Sequence, residues 1–296
     1  MTEPDILLSI VLPTRNERLN APELVIELLE AFHAAWPQQP IEAQTGALEI
    51  ILVDASEDDT MAAVEDAWAS RRVTTDPAAI PDAVLRCHRQ QSHGFSSAVG
   101  EGLALARGRW LLCLNSDQQH RACDAVALFE ARRTNTLLIG SRFVMDGATP
   151  YSLIRRLMSQ WGSSLVAAVS GLPLRDCFSS FFLLERERIA GLDINAIVSG
   201  RGEGMMNLAA CLMRQGVILR EVPIKTAPRP AGDSKTDLLV FLASYLQAAL
   251  RLRRQRPIRK RLHILIRVIP LIVLAGLIIQ NPVSYTHLRA HETLRY

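Results

Sequence analysis

Five short apolar runs, at residues 6–12, 50–53, 84–87, 110–114 and 137–139, alternate with four amphipathic stretches of helical length, at 22–35, 60–70, 96–106 and 122–133. The runs are rich in β-branched residues or Leu, as buried strands are. Strand–helix alternation of this kind predicts an α/β domain around a mostly parallel sheet. Ligands in such sheets sit beyond the carboxyl ends of the strands, so the residues directly after each run are where chemistry is expected.

Past Tyr151 the pattern changes to a helix at 153–170, an apolar strand at 178–184, a helix at 204–215 closed by Gly216, and a strand at 217–224. These read as the acceptor half of the same domain. Residues 237–252 are apolar along one side and end in arginines, as expected of a helix lying in a membrane interface. From Arg251 to Arg261, seven of eleven residues are Arg or Lys and none is acidic, a basic collar that suits a membrane surface. Residues 262–280 are apolar apart from His263, Arg267 and Gln280; their uncharged core, 268–279, is short of the roughly 20 residues that span a bilayer. A buried core helix is the alternative there. Residues 283–293 read VSYTHLRAHET, which back-translates to a string resembling a sequencing-library transposon adapter, so 283–296 are set aside as a foreign tail in preference to a genuine polar one. The expected divisions are a catalytic domain at 1–235, an interfacial helix with its collar at 236–261, a truncated membrane segment at 262–282, and the tail.

A formal charge of +3 gives no ground for a nucleic-acid partner. Five scattered cysteines without a CxxC pair point to neither a disulfide framework nor a zinc site, and a reducing compartment is the natural reading. Residues 6–12 follow acids, are too short for a signal segment and end in Pro13, so the catalytic part is expected to face the cytoplasm from the cytoplasmic membrane. No GxGxxG follows the first strand, which argues against a dinucleotide dehydrogenase.

Four segments carry chemistry. Pro13-Thr14-Arg15-Asn16-Glu17 follows the first run with small polar groups that suit a ribose or a base. Asp54 ends the second run and can accept from a nucleobase N–H; Asp58 and Thr60 beyond it are equally a helix cap. After the fourth run stands Asn115-Ser116-Asp117-Gln118-Gln119-His120. Oxygens at alternate positions of an extended chain point the same way, so Asn115, Asp117 and Gln119 are candidates for one hard cation, and His120 is either a loop residue or a phosphate contact. Late in the chain, Arg229-Pro230-Ala231-Gly232-Asp233-Ser234-Lys235 is either a solvated basic loop or a phosphate cradle. Arg142, Arg155 and Arg156 add cations that suit an anionic acceptor.

Taken in order, PTRNE, VDASEDDT, GFSSAVGEGLALARG, NSDQQH, GSRF, DCFSSF and EVPIKTAPRPAGDSK resemble the motifs of the dolichol-phosphate mannosyltransferase branch of the inverting family-two glycosyltransferases. The likeness runs from about Ser9 to Lys235. It implies a GT-A nucleotide-diphospho-sugar transferase fold with a mixed, mostly parallel sheet, and transfer of a sugar from GDP-mannose or a UDP-sugar to a polyprenyl phosphate. It implies nucleotide contacts at Pro13, Thr14, Asn16, Glu17 and Asp54, and Mg2+ or Mn2+ at Asp117 and Gln119, with Asn115 included by alignment only. Phosphate contacts are implied at Arg142, Arg229, Ser234 and Lys235, with Asp117, Arg142 and Lys235 central to catalysis. Three positions depart from the branch pattern: Asn115 replaces the first acid of the metal loop, Ala55 the second acid of the nucleotide motif, and Ser180 the glycine of an SGF strand. An enzyme of the same fold with another acceptor and a sugar-nucleotide-binding protein without turnover are the rival readings.

Overall fold

The alternation builds β1 (Ile6–Thr14), α1 (Ala21–Ala35), β2 (Ala47–Asp54), α2 (Thr60–Thr74), β3 (Ala83–Arg89), α3 (Phe95–Leu105), β4 (Trp110–Cys113), α4 (Ala122–Glu130) and β5 (Thr136–Ser141). The later elements are α5 (Leu153–Ser170), β6 (Phe182–Glu185), a 3-10 turn (Arg186–Ile189), α6 (Ile194–Ile197), α7 (Gly204–Arg214), β7 (Ile218–Pro223) and α8 (Leu238–Arg254). The computed structural model describes residues 6–36, 47–74, 83–230 and 238–255. Ser234, Lys235, most of the basic collar and the segment expected at 262–282 lie outside the described residues. Among those described, no helix is long and apolar enough to cross a membrane.

Seven strands form one sheet in the order β3-β2-β1-β4-β6-β5-β7. Only β6 runs against the others, pairing antiparallel with β4 and β5, so the sheet is mixed and mostly parallel as expected. Alternate residues of each strand serve opposite faces. Leu8, Ile10, Leu12, Leu48, Ile50 and Leu52 pack under α1, α2 and α4, while Val11, Ile51, Val53 and Leu111 pack under α3, α5, α7 and α8. Burial on both faces is why the runs read as continuously apolar. A Cβ on Gly102 would come within 2.3 Å of a Val11 methyl, so glycine is what lets α3 lie close on the sheet.

Four elements differ from expectation. The strand expected at 178–184 begins only at Phe182, because side chains upstream take its backbone donors: Asp176 accepts from the N–H of Phe178 at 3.3 Å and Ser179 from that of Phe181 at 3.3 Å. The 3-10 turn and α6 are each four residues long, too brief to leave a period in the sequence. Helix α8 packs on α5, and its Tyr245, Ala248, Ala249 and Leu252 are buried in the protein's own core. Much of the apolar side assigned to a membrane interface is therefore covered by protein.

Candidate active site

The ends of β1 and β2 are joined to each other. Thr14 O accepts from Ala55 N–H at 2.8 Å, Asn16 N–H donates to Ser56 Oγ at 2.7 Å, and Glu57 N–H donates to Asn16 Oδ1 at 2.8 Å. Asn16 sits at φ 51°, a left-handed conformation that its short amide tolerates. Glu17 N–H donates to Thr60 Oγ1 at 3.1 Å, and Thr60 in turn gives both its donors to Asp58. Asp58 thus braces the first residue of α2, and Thr60 also ties the first loop down. Thr14 is buried in this seam and Pro13 offers its carbonyl to Ser116 Oγ at 3.0 Å, which links the β4 loop to the same seam.

Asp54 is fully buried, and both its oxygens are engaged. Oδ1 accepts from Ser56 N–H and Oγ at 3.2 and 2.5 Å, and Oδ2 from Arg89 Nη1 at 2.6 Å. The carboxylate expected to meet a base therefore already anchors Arg89, whose side chain is 59% exposed at the rim. Arg89 was missed, although it ends β3 and the strand-end rule applies to it as much as to Asp54.

The loop after β4 does not stay extended. Gln118 at φ 57° turns it, and the side chains of Asn115, Asp117 and Gln119 each have a partner of their own. Asp117, nearly buried, accepts from Gln119 N–H at 3.2 Å through Oδ1 and from Arg229 Nη2 at 2.5 Å through Oδ2. Gln119 Nε2 donates to the Tyr151 hydroxyl at 3.0 Å. Asn115 Oδ1 accepts from Ser180 Oγ at 2.7 Å. His120 is buried and lies against the Phe181 ring with centroids 4.9 Å apart. Burial holds its pKa down at about 4, with Arg142 adding to the effect and Asp117 and Asp176 opposing it, so the imidazole is neutral at ordinary pH.

Arg142 reaches Asp176 with Nε and Nη2 at 2.8 and 2.9 Å, and its own backbone N–H adds a third bond to that carboxylate at 3.1 Å. Burial disfavours its charge, but Asp176 outweighs burial and holds the guanidinium above its ordinary pKa. Arg229 behaves alike: burial opposes its charge, while Asp117 and, less strongly, Glu17 favour it. Arg142, Asn115, Gln119, His120, Tyr151 and Ser180 line one small cavity of ≈ 60 Å³ beyond β4 and β5. Arg155 lies over the Tyr151 ring at 4.1 Å and Arg156 is exposed beside it, both on the first turn of α5. A wider open depression beside Glu27, Glu30 and Arg121 contains none of the strand-end residues.

The donor set around the β4 loop is oxygen, which suits Mg2+ or Mn2+. Asp117 is the one acid among residues 115–120, and among the described residues no three His, Cys, Asp or Glu side chains gather to hold a metal. Such a set fits a cation that takes part of its shell from phosphate oxygens, and does not fit a cage built of protein carboxylates.

Comparison with known proteins agrees with this geometry. The family described as Glycosyl transferase family 2 matches residues 9–189, more than half of the chain. An undecaprenyl-phosphate mannosyltransferase of Micrococcus luteus is 29% identical over 230 residues, which cover 76% of this chain and 85% of the relative. A dolichol-phosphate mannosyltransferase of Saccharomyces cerevisiae is 27% identical over 249 residues, 81% of this chain and 84% of the relative. Among solved structures, glucosyl-3-phosphoglycerate synthase from Mycobacterium tuberculosis, in complex with Mn2+, uridine diphosphate and phosphoglyceric acid, superposes with a TM-score of 0.56. That match is at 17% identity and covers 86% of this chain and 80% of the other, a likeness of fold alone. The chain belongs to glycosyltransferase family 2, has the GT-A fold and is a glycosyltransferase.

Proposed function

We propose that this enzyme moves a sugar, mannose before others, from GDP-mannose or a UDP-sugar to the phosphate of a polyprenyl lipid, with inversion at the anomeric carbon. The observation that carries the reading is the Asp117–Arg229 pair, which joins an oxygen-donor loop after β4 to the start of a late basic loop 112 residues away. An acid and a base so placed match the two needs of a departing nucleoside diphosphate, a cation site and a phosphate clamp. The names of the Micrococcus and Saccharomyces relatives support mannose and a polyprenyl phosphate.

In this reading Pro13, Thr14, Asn16, Glu17 and Asp54 form the nucleotide seam, with Arg89 at its rim. Asp117 and Gln119 would hold Mg2+ or Mn2+, which supplies charge neutralisation of the leaving diphosphate. Arg229, Ser234 and Lys235 hold the phosphates. The acceptor is a phosphate monoester, already anionic near neutral pH, so it needs no strong protein base; positioning and charge dominate. Asp176 fixes Arg142 through two of its three guanidinium nitrogens, and the third is left to meet the acceptor phosphate. Inversion follows from one in-line displacement.

A membrane-surface acceptor suits the outer face of α5. Met145, Leu153 and Ile154 are 82%, 70% and 61% exposed, and Arg155 and Arg156 sit among them, the mixture expected where protein meets anionic lipid. The basic collar begins at Arg251 on α8, and all five cysteines are free thiols, in keeping with a domain on the cytoplasmic side.

The test is transfer itself. Membranes containing the full-length protein, given labelled GDP-mannose and UDP-sugars with Mg2+ or Mn2+ and added polyprenyl phosphate, should place label in the extracted lipid phase. Label confined to water-soluble products would replace the lipid acceptor with a soluble one. Nucleotide binding without any transfer would leave a sugar-nucleotide-binding protein.

A further inference from the structure

The acid that opens the EVPIKTAPRPAGDSK run, Glu221, has no part in the site described so far. Strands β5 and β7 run parallel with Ile139 opposite Glu221 and Ser141 opposite Pro223, so β5 delivers Arg142 just beyond the place where β7 carries that acid. The Glu221 carboxylate accepts from two neighbouring backbone N–H groups, Arg175 through Oε2 and Asp176 through Oε1, at 2.8 Å each. From α5, the fully buried Ser163 donates to the Arg175 carbonyl at 2.7 Å and accepts from Cys177 N–H at 2.8 Å. Residues 175–177 belong to no helix or strand, and these two side chains cradle them.

What the cradle fixes is Asp176. Its side chain is wholly buried and takes three bonds from Arg142, which lines the ≈ 60 Å³ cavity. A forked pair tolerates little displacement, because two parallel N–H···O bonds must be kept at once. Arg175 is exposed, so water could satisfy its N–H, and satisfying it does not by itself call for a carboxylate. A charged acceptor on two adjacent amides makes shorter and stronger bonds than a neutral one. The direction of Arg142 is therefore set by β7 and α5 through Asp176, and not by the end of β5 alone.

We propose that Glu221 and Ser163 are positioning residues for Arg142: through the backbone of 175–177 they hold Asp176 where it aims the guanidinium at the acceptor's phosphate. Neither of them lines the cavity. The inference rests on the acceptor reading above, in which Arg142 meets a phosphate monoester.

The experiment separates aim from fold. Calorimetry on the full chain in detergent measures affinity for a short-chain polyprenyl monophosphate and, separately, for GDP and UDP with Mn2+. The proteins are wild type, Glu221→Gln, Ser163→Ala, Arg142→Lys, and Arg142→Lys combined with Glu221→Gln. Glu221→Gln keeps the size but sets an amide N–H against one of the two backbone donors. It should weaken the lipid phosphate about fivefold and leave the nucleotide unchanged, and Ser163→Ala should do the same about threefold. Arg142→Lys keeps the charge without the fork and should cost about tenfold. Adding Glu221→Gln to it should cost nothing more, because the cradle acts through that fork. Unchanged lipid-phosphate affinity in Glu221→Gln, or an effect that persists in full beside Arg142→Lys, overturns the proposal. Loss of lipid-phosphate and nucleotide affinity together, the mark of a variant that does not fold, makes the cradle structural and overturns it too. A wild-type chain that binds nucleotide but not the polyprenyl monophosphate, or an Arg142→Lys protein that binds it like wild type, would instead end the acceptor reading, and the role of Glu221 with it.

Discussion

Two buried acids lie at opposite edges of the sheet, and their surroundings differ in kind. Glu49, near the amino end of β2, accepts from Ser9 Oγ at 2.5 Å, Arg107 N–H and Nε at 3.0 Å each, and Arg86 Nη1 at 3.1 Å. Those bonds outweigh burial and hold its pKa below the usual carboxylate value. Every partner is a fixed part of β1, β3 or the turn before β4, so the carboxylate is saturated and structural. Asp117, at the carboxyl edge, leans on Arg229 at the start of a loop and on the N–H of its own turn. An acid whose main partner is a cation suited to phosphate can exchange that partner when a diphosphate arrives. Saturation by the framework marks the first acid as architecture, and dependence on one loop cation marks the second as chemistry.

The contrast breaks or stands on two substitutions. Asp117→Ala should lower sugar transfer by about 10³-fold, roughly 4 kcal/mol in the transition state, while changing unfolding free energy by only about 1 kcal/mol. Transfer assays on the purified variant and a denaturant melt measure the two. Full turnover would remove Asp117 from the metal site. Glu49→Ala should do the reverse, costing about 3 kcal/mol of stability because two arginines lose their buried partner, with kcat of the folded fraction unchanged. A Glu49 variant that melts like wild type but transfers slowly would erase the distinction between the edges.

Acidity sharpens the same comparison. His120 at the carboxyl edge is held neutral, with a folded pKa of about 4 against 6.5 for the ordinary imidazole. The unfolded chain therefore binds more protons between those values, and stability falls as pH drops from 6.5 toward 4. By pH 5 the loss from this one residue is roughly 2 kcal/mol. Melting temperatures measured from pH 7 to pH 5 should fall less in His120→Phe, which keeps a ring against Phe181. Equal slopes in the two proteins would mean that His120 protonates freely in the folded state.

What the sequence shows and what it hides follow from chain separation. Strand ends are local, so Asp54, Asn115 and Asp117 could be picked out directly after apolar runs. Their partners are not local. Arg229 is 112 residues from Asp117, Ser180 is 65 from Asn115, and Asp176 is 34 from Arg142. No spacing in the sequence announces such pairs; the antiparallel β6 and the loop beyond β7 bring them together. Alternation at 115–119 is a related case: it assumes an extended chain, whereas Gln118 turns left-handed, so the partners that Asn115, Asp117 and Gln119 take could not be read from their spacing. Glu49 shows the opposite failure. An acid directly before the apolar run at 50–53 gave no hint of the arginines from β3 and the turn before β4 that make its burial tolerable.

The smallest effect concerns the seam between β1 and β2. Ser56 Oγ donates to Asp54 and accepts from Asn16 N–H, so Ser56→Ala removes one of three donors from a buried carboxylate and leaves a backbone N–H to find water. Each bond is worth about 1 kcal/mol net, and the exposed rim lets water repair part of the loss. The expected outcome is a rise of about fivefold in KM for the nucleotide sugar, with kcat held, because the seam binds ground state and transition state alike. Ser56→Thr keeps the hydroxyl and should stay near wild type. A fall in kcat at constant KM would instead put the β2 loop against the reacting centre, and the division between a nucleotide seam and a chemical edge would have to move from β4 to β2.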